Sequence, residues 1–546
     1  MLAVMSGLFL VALDQTIVAT ALGSIVTEFK SYSSLGFVVT AYLLTSTVTV
    51  PIAGKLSDMF GRRVILIIGV TLFTLSSLLS GLAPSMEWLI VWRLLQGVGG
   101  GMITANAFTI VGDLFTPRER GKWQGMIGAV FGMSSVIGPL LGGWLTDSQQ
   151  ILGMTTDWRW TFFINVPVGI VAVILIARFC PQFRHEQKHY PDYVGALFIT
   201  IALASLVLAV DNTEIVFRSL IDQGVELSFI KSTLTAISIV AAALFVNTER
   251  RARQPIIPLR FFKVRTFSLM MIITLLFGAA FLGAILYLTQ FNQQVFGATA
   301  SSAGLMLLPM VGGMMVSSIT TGQIVSRIGK YKAFIIVGLS IAAVSILSLV
   351  TLQPDSPYWH EAVAMVFAGI GMGMAMPILN LAVQNEFEQK ELGVATSSVQ
   401  LSRGLGSTIG TALMSGLLTT GIVAALGNLD DIPYVQTLKQ SPASSQILQS
   451  GVSADTLLLV NTQQETIRGY AQKSFEAISI PAVRDAQLKA FIQKQDDFRS
   501  QLINAFTESL HRIFMISSAL MVIAAVLACF IKERPLRGGV NTTPVE

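Results

Sequence analysis

The sequence predicts an all-α polytopic membrane protein, built as two six-helix bundles with two inserted helices and a long outer loop before the last helix. Three observations carry this. Of 546 residues, 53% are hydrophobic and only 12% charged, and the mean hydropathy is +0.67. A soluble chain has about 25% charged residues, so this one lacks the polar surface that water requires, and disorder, collagen and coiled coil fall with it. Apolar stretches close to the ~20 residues needed to cross a hydrocarbon core recur about fourteen times. Glycine-rich patterns also return at a nearly fixed offset, the mark of an internal repeat.

Segments 1 to 14 fall near 3–25, 35–54, 64–83, 88–112, 123–146, 160–178, 193–211, 229–247, 267–290, 302–325, 333–352, 361–383, 395–424 and 510–531. Met1 opens almost directly into the first, without a basic n-region or small-residue cleavage site, so it reads as a retained helix rather than a signal peptide. Orientation follows from lysine and arginine. Lys55, Arg62, Arg63, Arg118, Arg120, Lys122 and the basic clusters at 178–188, 250–265, 327–332, 390 and 532–537 share one set of alternate loops. The opposite short loops offer little beyond Lys30, Arg159, Arg218 and Lys231, which predicts that the first set and both termini are cytoplasmic. The net charge of +5 is thus topogenic and calls for no nucleic acid. Cys180 and Cys529 are too few for a disulfide scaffold and fall near the inner face, where thiols stay reduced.

Residues 425–509 form the one long outer loop. Leu488, Phe491, Ile492, Phe498, Leu502, Ile503 and Phe506 follow a 3.6-residue period, so two helical arms are expected there, the second running toward segment 14. The repeat pairs Gly54–Arg63 with Gly322–Lys330 at an offset of 268, and Gly97–Met102 with Gly369–Met374 at 272. Segments 1–6 therefore resemble 9–14. The expected units are a bundle at 1–190, an insertion at 191–266, the second bundle's helices at 267–424, the outer hairpin at 425–509, and helix 14 with its tail at 510–546. Two parallel membrane repeats around a midplane site describe a transporter.

Motifs sharpen this. Gly54-Lys-Leu-Ser-Asp58-Met-Phe-Gly61-Arg62-Arg63, on a tight inner loop, resembles the signature loop of the major facilitator superfamily. Arg93-Leu-Leu-Gln96-Gly97 is similar to that superfamily's buried-arginine motif, and Gly138-Pro139-Leu-Leu-Gly142-Gly143 to the antiporter motif of its drug exporters. Leu13-Asp14-Gln-Thr16, Trp158–Gly169 with Asn165, and Arg403-Gly-Leu-Gly406 resemble the fourteen-segment drug/proton antiporter branch, the EmrB/QacA type. Ala19 and Ser134 depart from it, standing where the family commonly has Asn and Gly. The resemblance implies a major facilitator fold and proton-coupled export of amphipathic, often cationic, compounds, with no cofactor beyond the proton gradient. It also implies a multi-pass protein of the cytoplasmic membrane, working as a monomer.

Individual residues acquire expected roles. Asp14 lies roughly 16 Å along segment 1 from Ala3 at ~1.5 Å per residue. An acid at that depth is a functional candidate by default, and Arg93 is its expected partner. Asp58 should face the start of segment 13 after Leu392, because a carboxylate is favoured at a helix N-terminus. Arg62 should pair with Asp113, and Gly138, Pro139, Gly142 and Gly143 permit close packing or bending. Gln96, Asn165 and Arg403 are further candidates, and Glu386 and Glu388 are the alternative acids if Asp14 does not couple. His185-Glu-Gln-Lys-His189 matches H-E-x-x-H, but it lies between Pro181 and Pro191 with no third ligand in view, so no metal is expected. No G-x-x-x-x-G-K-[ST] loop occurs, which argues against an ATP-driven pump or other nucleotide enzyme. Two rival readings remain open: an exporter of a lipid or envelope precursor, and a sensor or scaffold that no longer transports.

Overall fold

The computed structural model describes residues 1–29, 35–146, 150–151, 153–181, 192–210, 213–439, 452–476 and 481–536. The histidines at 185 and 189 lie outside them. Each apolar segment is a helix. The first six are α1 (Leu2–Phe29), α2 (Leu35–Phe60), α3 (Arg62–Gly81), α4 (Met86–Leu114), α5 (Pro117–Thr146) and α6 (Asn165–Phe179). The inserted pair is α7 (Tyr193–Val210) and α8 (Leu227–Glu249). Then come α9 (Arg265–Gln294), α10 (Leu308–Ile328), α11 (Lys332–Ser348), α12 (Tyr358–Gln384), α13 (Leu392–Leu426) and α14 (Pro481–Cys529). Among the described residues thirteen spans are long and apolar enough to cross a membrane, and Leu2–Val18 of α1 is a further, shorter apolar stretch.

The packing repeats as the sequence does. In the first bundle α1 lies on α5 and α6, while α4 lies on α2 and α3, and α3 also meets α6. In the second, α9 lies on α13 and α14, α12 on α10 and α11, and α11 on α14. Between bundles α2 meets α13 and α5 meets α10, which are equivalent pairs under exchange of the two repeats. These contacts are close because small residues line them: a Cβ on Gly54 would strike Ser397, and one on Gly121 would come within 2.9 Å of the Gly322 carbonyl. The inserted α7 and α8 pack on each other, and α7 also touches α2 and α13. A repeated turn closes each repeated loop. Gly61 (φ 97°) precedes α3 and Gly329 (φ 74°) ends α10, and both left-handed conformations favour glycine.

Two proline positions shape the helices. The chain enters α6 through a short turn, Trp160–Phe163, and Pro167 has no N–H for the Phe163 carbonyl, so the helix restarts at Asn165. In the same way Pro309 follows the break between Ala300–Met306 and α10.

The last segment corrects the expected boundaries. Segment 14 and the second arm of the outer hairpin are one unbroken helix of 49 residues, about 73 Å at ~1.5 Å per residue against the ~30 Å of a hydrocarbon core. Its outer half carries the apolar stripe read from the sequence, with Phe491, Phe498, Leu502, Ile503 and Phe506 buried and Leu488 and Ile492 half-buried. The first arm is three short helices, Pro433–Lys439, Ala454–Thr462 and Gln464–Glu476. Tyr434, Leu438, Leu457 and Ile467 from this arm join the same apolar core as α9, α11 and α12. Gln495 is the polar centre: its Nε2 donates to Tyr434 Oη (2.9 Å) and the Gln464 carbonyl (3.0 Å), while Arg468 Nε donates to its Oε1 (2.9 Å). Burial pushes the Tyr434 phenol up to about 12, so it stays neutral.

Gln495→Ala leaves these buried partners unsatisfied, a cost of about 1–3 kcal/mol. The melting temperature of the purified protein should fall by several degrees, while an exposed control such as Lys489→Ala leaves it unchanged.

Candidate functional site

Two polar constellations stand out in the apolar bundles. The first is built around Asp14, midway along α1 and fully buried. Its Oδ2 accepts from Arg93 Nη1 of α4 at 2.6 Å. Its Oδ1 accepts from Gln96 Nε2 at 2.8 Å, one turn further along α4, and from Asn165 Nδ2 at 2.8 Å, at the restart of α6. Arg93 is itself held by Gln96 Oε1 (2.8 Å) and the Val38 carbonyl (3.3 Å), with its guanidinium 4.5 Å from the Tyr42 ring centre. Asn165 Nδ2 also reaches Ser77 Oγ of α3 at 3.0 Å. Gln96 and Asn165 thus converge on the acid, and these two amides together with the guanidinium make three donors, a solvation shell fitted to a carboxylate. Taking two charges out of water costs several kcal/mol each, and removing one partner of such a pair costs about 3–5 kcal/mol.

Around this cluster α5 presses onto α1. A Cβ on Gly138 would collide with Thr16 Oγ1, and one on Gly142 would come within 2.8 Å of the Ile17 carbonyl. Thr16 Oγ1 donates to the Ser134 carbonyl (2.9 Å). Gly143 is buried on the same helix, and Pro139 faces the other bundle, where a Cβ on Gly304 would lie 2.6 Å from its ring.

The second constellation joins the bundles at the inner end. Arg62, at the start of α3, donates to Asp113 Oδ2 of α4 (2.8 Å) and Ser57 Oγ (2.6 Å), and pairs with Asp58. Asp58 Oδ2 accepts from the Val394 N–H (3.2 Å) in the first turn of α13. The N-cap residue of α13, Glu391, makes no side-chain cap of its own; a carboxylate from the other bundle takes that place, worth about 1 kcal/mol. Any Cβ on Gly393 would displace Asp58 and Arg62. Arg63, beside it, donates to the Ala177 carbonyl of α6.

A further rung escapes sequence reasoning. Gln384 Nε2 of α12 donates to the Phe108 carbonyl (3.0 Å) and Thr396 Oγ1 (3.1 Å), while its Oε1 accepts from Gln124 of α5 (2.8 Å). Arg120 donates to the carbonyls of Gly112 (2.6 Å) and Phe115 (3.0 Å). Residues 105–112, 375–384 and 392–402 are buried without interruption. A helix buried on every side is enclosed by protein, so the bundles are closed against each other at the inner end.

Other candidates separate. Glu386 pairs with Arg534 (3.0 Å), so it latches the C-terminal tail, and Glu388 is exposed at the inner surface. Neither reaches Asp14. Glu361 went unnoticed because it stands at the edge of an apolar stretch, where a charge reads as an end group. It is fully buried and faces the Asn292 side chain. Arg403 lies about 16 Å along α13 from Leu392 at ~1.5 Å per residue. It stands 5.9 Å from the ring centres of both Phe108 and Phe131, and no hydrogen bond or carboxylate meets it among the described residues. Two contacts at the limit of cation–π range give about 0.5–1 kcal/mol each, against roughly 2.5–3.5 kcal/mol for an arginine at mid-membrane.

Two pseudo-symmetric helical bundles, sealed at one end and carrying, among the described residues, a fully buried ion pair in the first of them, have the architecture of a membrane transporter. The comparisons agree. The model for the Major Facilitator Superfamily matches residues 4–411, and the chain belongs to that family, as a multi-pass membrane protein. It is 36% identical over 533 residues to the multidrug transporter protein MdtP of Bacillus subtilis, covering 96% of this chain and 91% of MdtP. It is 31% identical over 532 residues to multidrug resistance protein 3 of the same organism, covering 97% and 94%. The solved proton:xylose symporter XylE superposes with a TM-score of 0.59 at 14% identity over 98% of this chain and 96% of XylE, which supports the fold.

The trans cap can be tested directly. With Cys180 and Cys529 replaced by Ser and Ser397→Cys as reporter, Asp58→Ala should speed maleimide labelling at 397 roughly five-fold, the effect of ~1 kcal/mol on a two-state equilibrium. Equal rates would mean that the cap does not hold the inner end shut.

Proposed function

We propose that this protein is a proton-coupled antiporter that exports amphipathic organic compounds across the cytoplasmic membrane by alternating access, with both termini inside. The observation that carries this is the Asp14 cluster: a wholly buried carboxylate with Arg93, Gln96 and Asn165 as donors, in the bundle whose outer half is free of the inner seal. The multidrug transporters that it resembles along nearly their whole length support the substrate class.

The sequence of events follows from electrostatics. With the inner end shut, Asp14 is the acid that receives a proton from the outer side. Protonation cancels the charge that holds Arg93, and the donors from α4 and α6 lose their shared acceptor. The helices tied at that point are then free to repack, and the inner contacts, each worth about 1 kcal/mol, can open. Loss of the proton to the cytoplasm restores the pair. Proton and substrate therefore exclude one another through the conformation each selects, which is the condition for exchange.

In proteoliposomes with an imposed pH gradient, Asp14→Asn should abolish proton-driven export, whereas Asp14→Glu keeps a measurable fraction. Both variants should elute as folded protein and bind substrate within about ten-fold of the parent. Export by Asp14→Asn with unchanged pH dependence would remove Asp14 from the coupling role.

A further inference from the structure

We propose that Arg403 is the recognition site for an acidic group on the substrate, so that the favoured cargo is an amphipathic organic anion: an aromatic or aliphatic body carrying a carboxylate or sulfonate. This rests on the antiporter reading and adds to it the charge of the cargo. It runs against the often cationic compounds that family resemblance implies.

The other deep arginines of this chain all meet oxygen acceptors. Arg93 has Asp14, Gln96 and a carbonyl; Arg62 has Asp113, Ser57 and Asp58; Arg120 has the carbonyls of Gly112, Phe115 and Gln384. Arg403 alone among these has no oxygen acceptor within the described residues. A guanidinium cannot shed its charge at any accessible pH, so an arginine kept in mid-membrane needs its counter-charge from elsewhere.

Its setting fits a ligand. The backbone at Arg403 is pinned to α9, where a Cβ on Gly278 would strike the Arg403 carbonyl, and Ser402 Oγ donates to the Met271 carbonyl (2.6 Å). The side chain reaches the other way, across the bundle interface, to Phe108 of α4 and Phe131 of α5. It is half-buried and marks the point on α13 where the continuous burial of 392–402 ends. The guanidinium thus sits at the interface of the bundles, immediately beyond the inner seal, with two aromatic rings beside it. A planar acid can take the guanidinium fork while its apolar body lies against the half-buried Phe131, Phe108 being covered in the first bundle's core. The cluster at Asp14 leaves that acid no rival, because its carboxylate is committed to Arg93. Exchange of an outgoing anion for an incoming proton moves net charge, so an inside-negative potential should accelerate it.

The test uses the full-length protein and three fluorescent or radiolabelled probes. They are 8-anilinonaphthalene-1-sulfonate, its uncharged relative N-phenyl-1-naphthylamine, and tetraphenylphosphonium. In lipid nanodiscs the sulfonate should bind at least ten-fold more tightly than the amine. Arg403→Gln should bring that ratio close to one while affinity for the neutral probe holds. Arg403→Lys, which keeps the charge and loses the fork, should retain part of the preference and guards against a folding failure in the glutamine variant. A ratio unchanged by Arg403→Gln, or a parent that prefers tetraphenylphosphonium, would overturn the proposal. So would displacement of the sulfonate by inorganic sulfate at equal concentration, which would make this an inorganic-anion site. Export in proteoliposomes is read separately: absence of proton-driven flux of every probe would sink the antiporter reading without altering the binding ratio.

Discussion

A carboxylate and a guanidinium 2.6 Å apart in an apolar interior govern this molecule. Neither could be there alone. Asp14 without donors would be an unsolvated charge, and Arg93 without Asp14 would be another, so helices α1, α4 and α6 are bound to one arrangement as long as both charges exist. Proline 167 and the restart of α6 at Asn165 make sense in that light: the break lets an asparagine reach the acid that a regular helix would aim elsewhere. The glycines of α5 that admit α1 so closely serve the same end, bringing the acid-bearing helix deep into the bundle.

The scaffold is symmetric and the chemistry is not. The same helix pairings occur in both repeats, yet Met365 occupies the position equivalent to Arg93, and Ser326 that of Asp58. The first bundle therefore carries the ion-paired acids of both constellations, and the second supplies the N-terminus of α13, the Gln384 side chain, Glu361 and Arg403. A symmetric fold gives two arrangements of similar energy, and an asymmetric charge set decides between them. The inner contacts suit that purpose. Single hydrogen bonds at a helix end and glycine-lined approaches are individually weak, whereas the outer hairpin around Gln495 is part of the second bundle's apolar core.

Much of this was legible from the residues. Composition and spacing located all fourteen spans, the offset of glycines exposed the repeat, and the charge pattern of the 54–63 loop pointed to Asp113 and to the start of segment 13. What stayed hidden depends on distance between helices. Gln124 and Gln384 are unremarkable amides until two bundles close around them. Glu361 reads as an end group because nothing in one sequence says that α12 begins three residues earlier, at Tyr358, beneath neighbouring helices. The 49-residue α14 crosses from polar to apolar composition, and a composition window divides what the backbone joins. Arg403 carries a motif in the sequence, but only the fold shows that no acid meets it among the described residues.

The account stands or falls on whether the Asp14 proton and the cargo exclude each other. Binding of 8-anilinonaphthalene-1-sulfonate to the purified protein can be followed as the solution is acidified. Affinity for the probe should fall as protons are taken up, and Asp14→Asn should remove that dependence on pH. An equal dependence in both would place the competing proton on another group and contradict the mechanism.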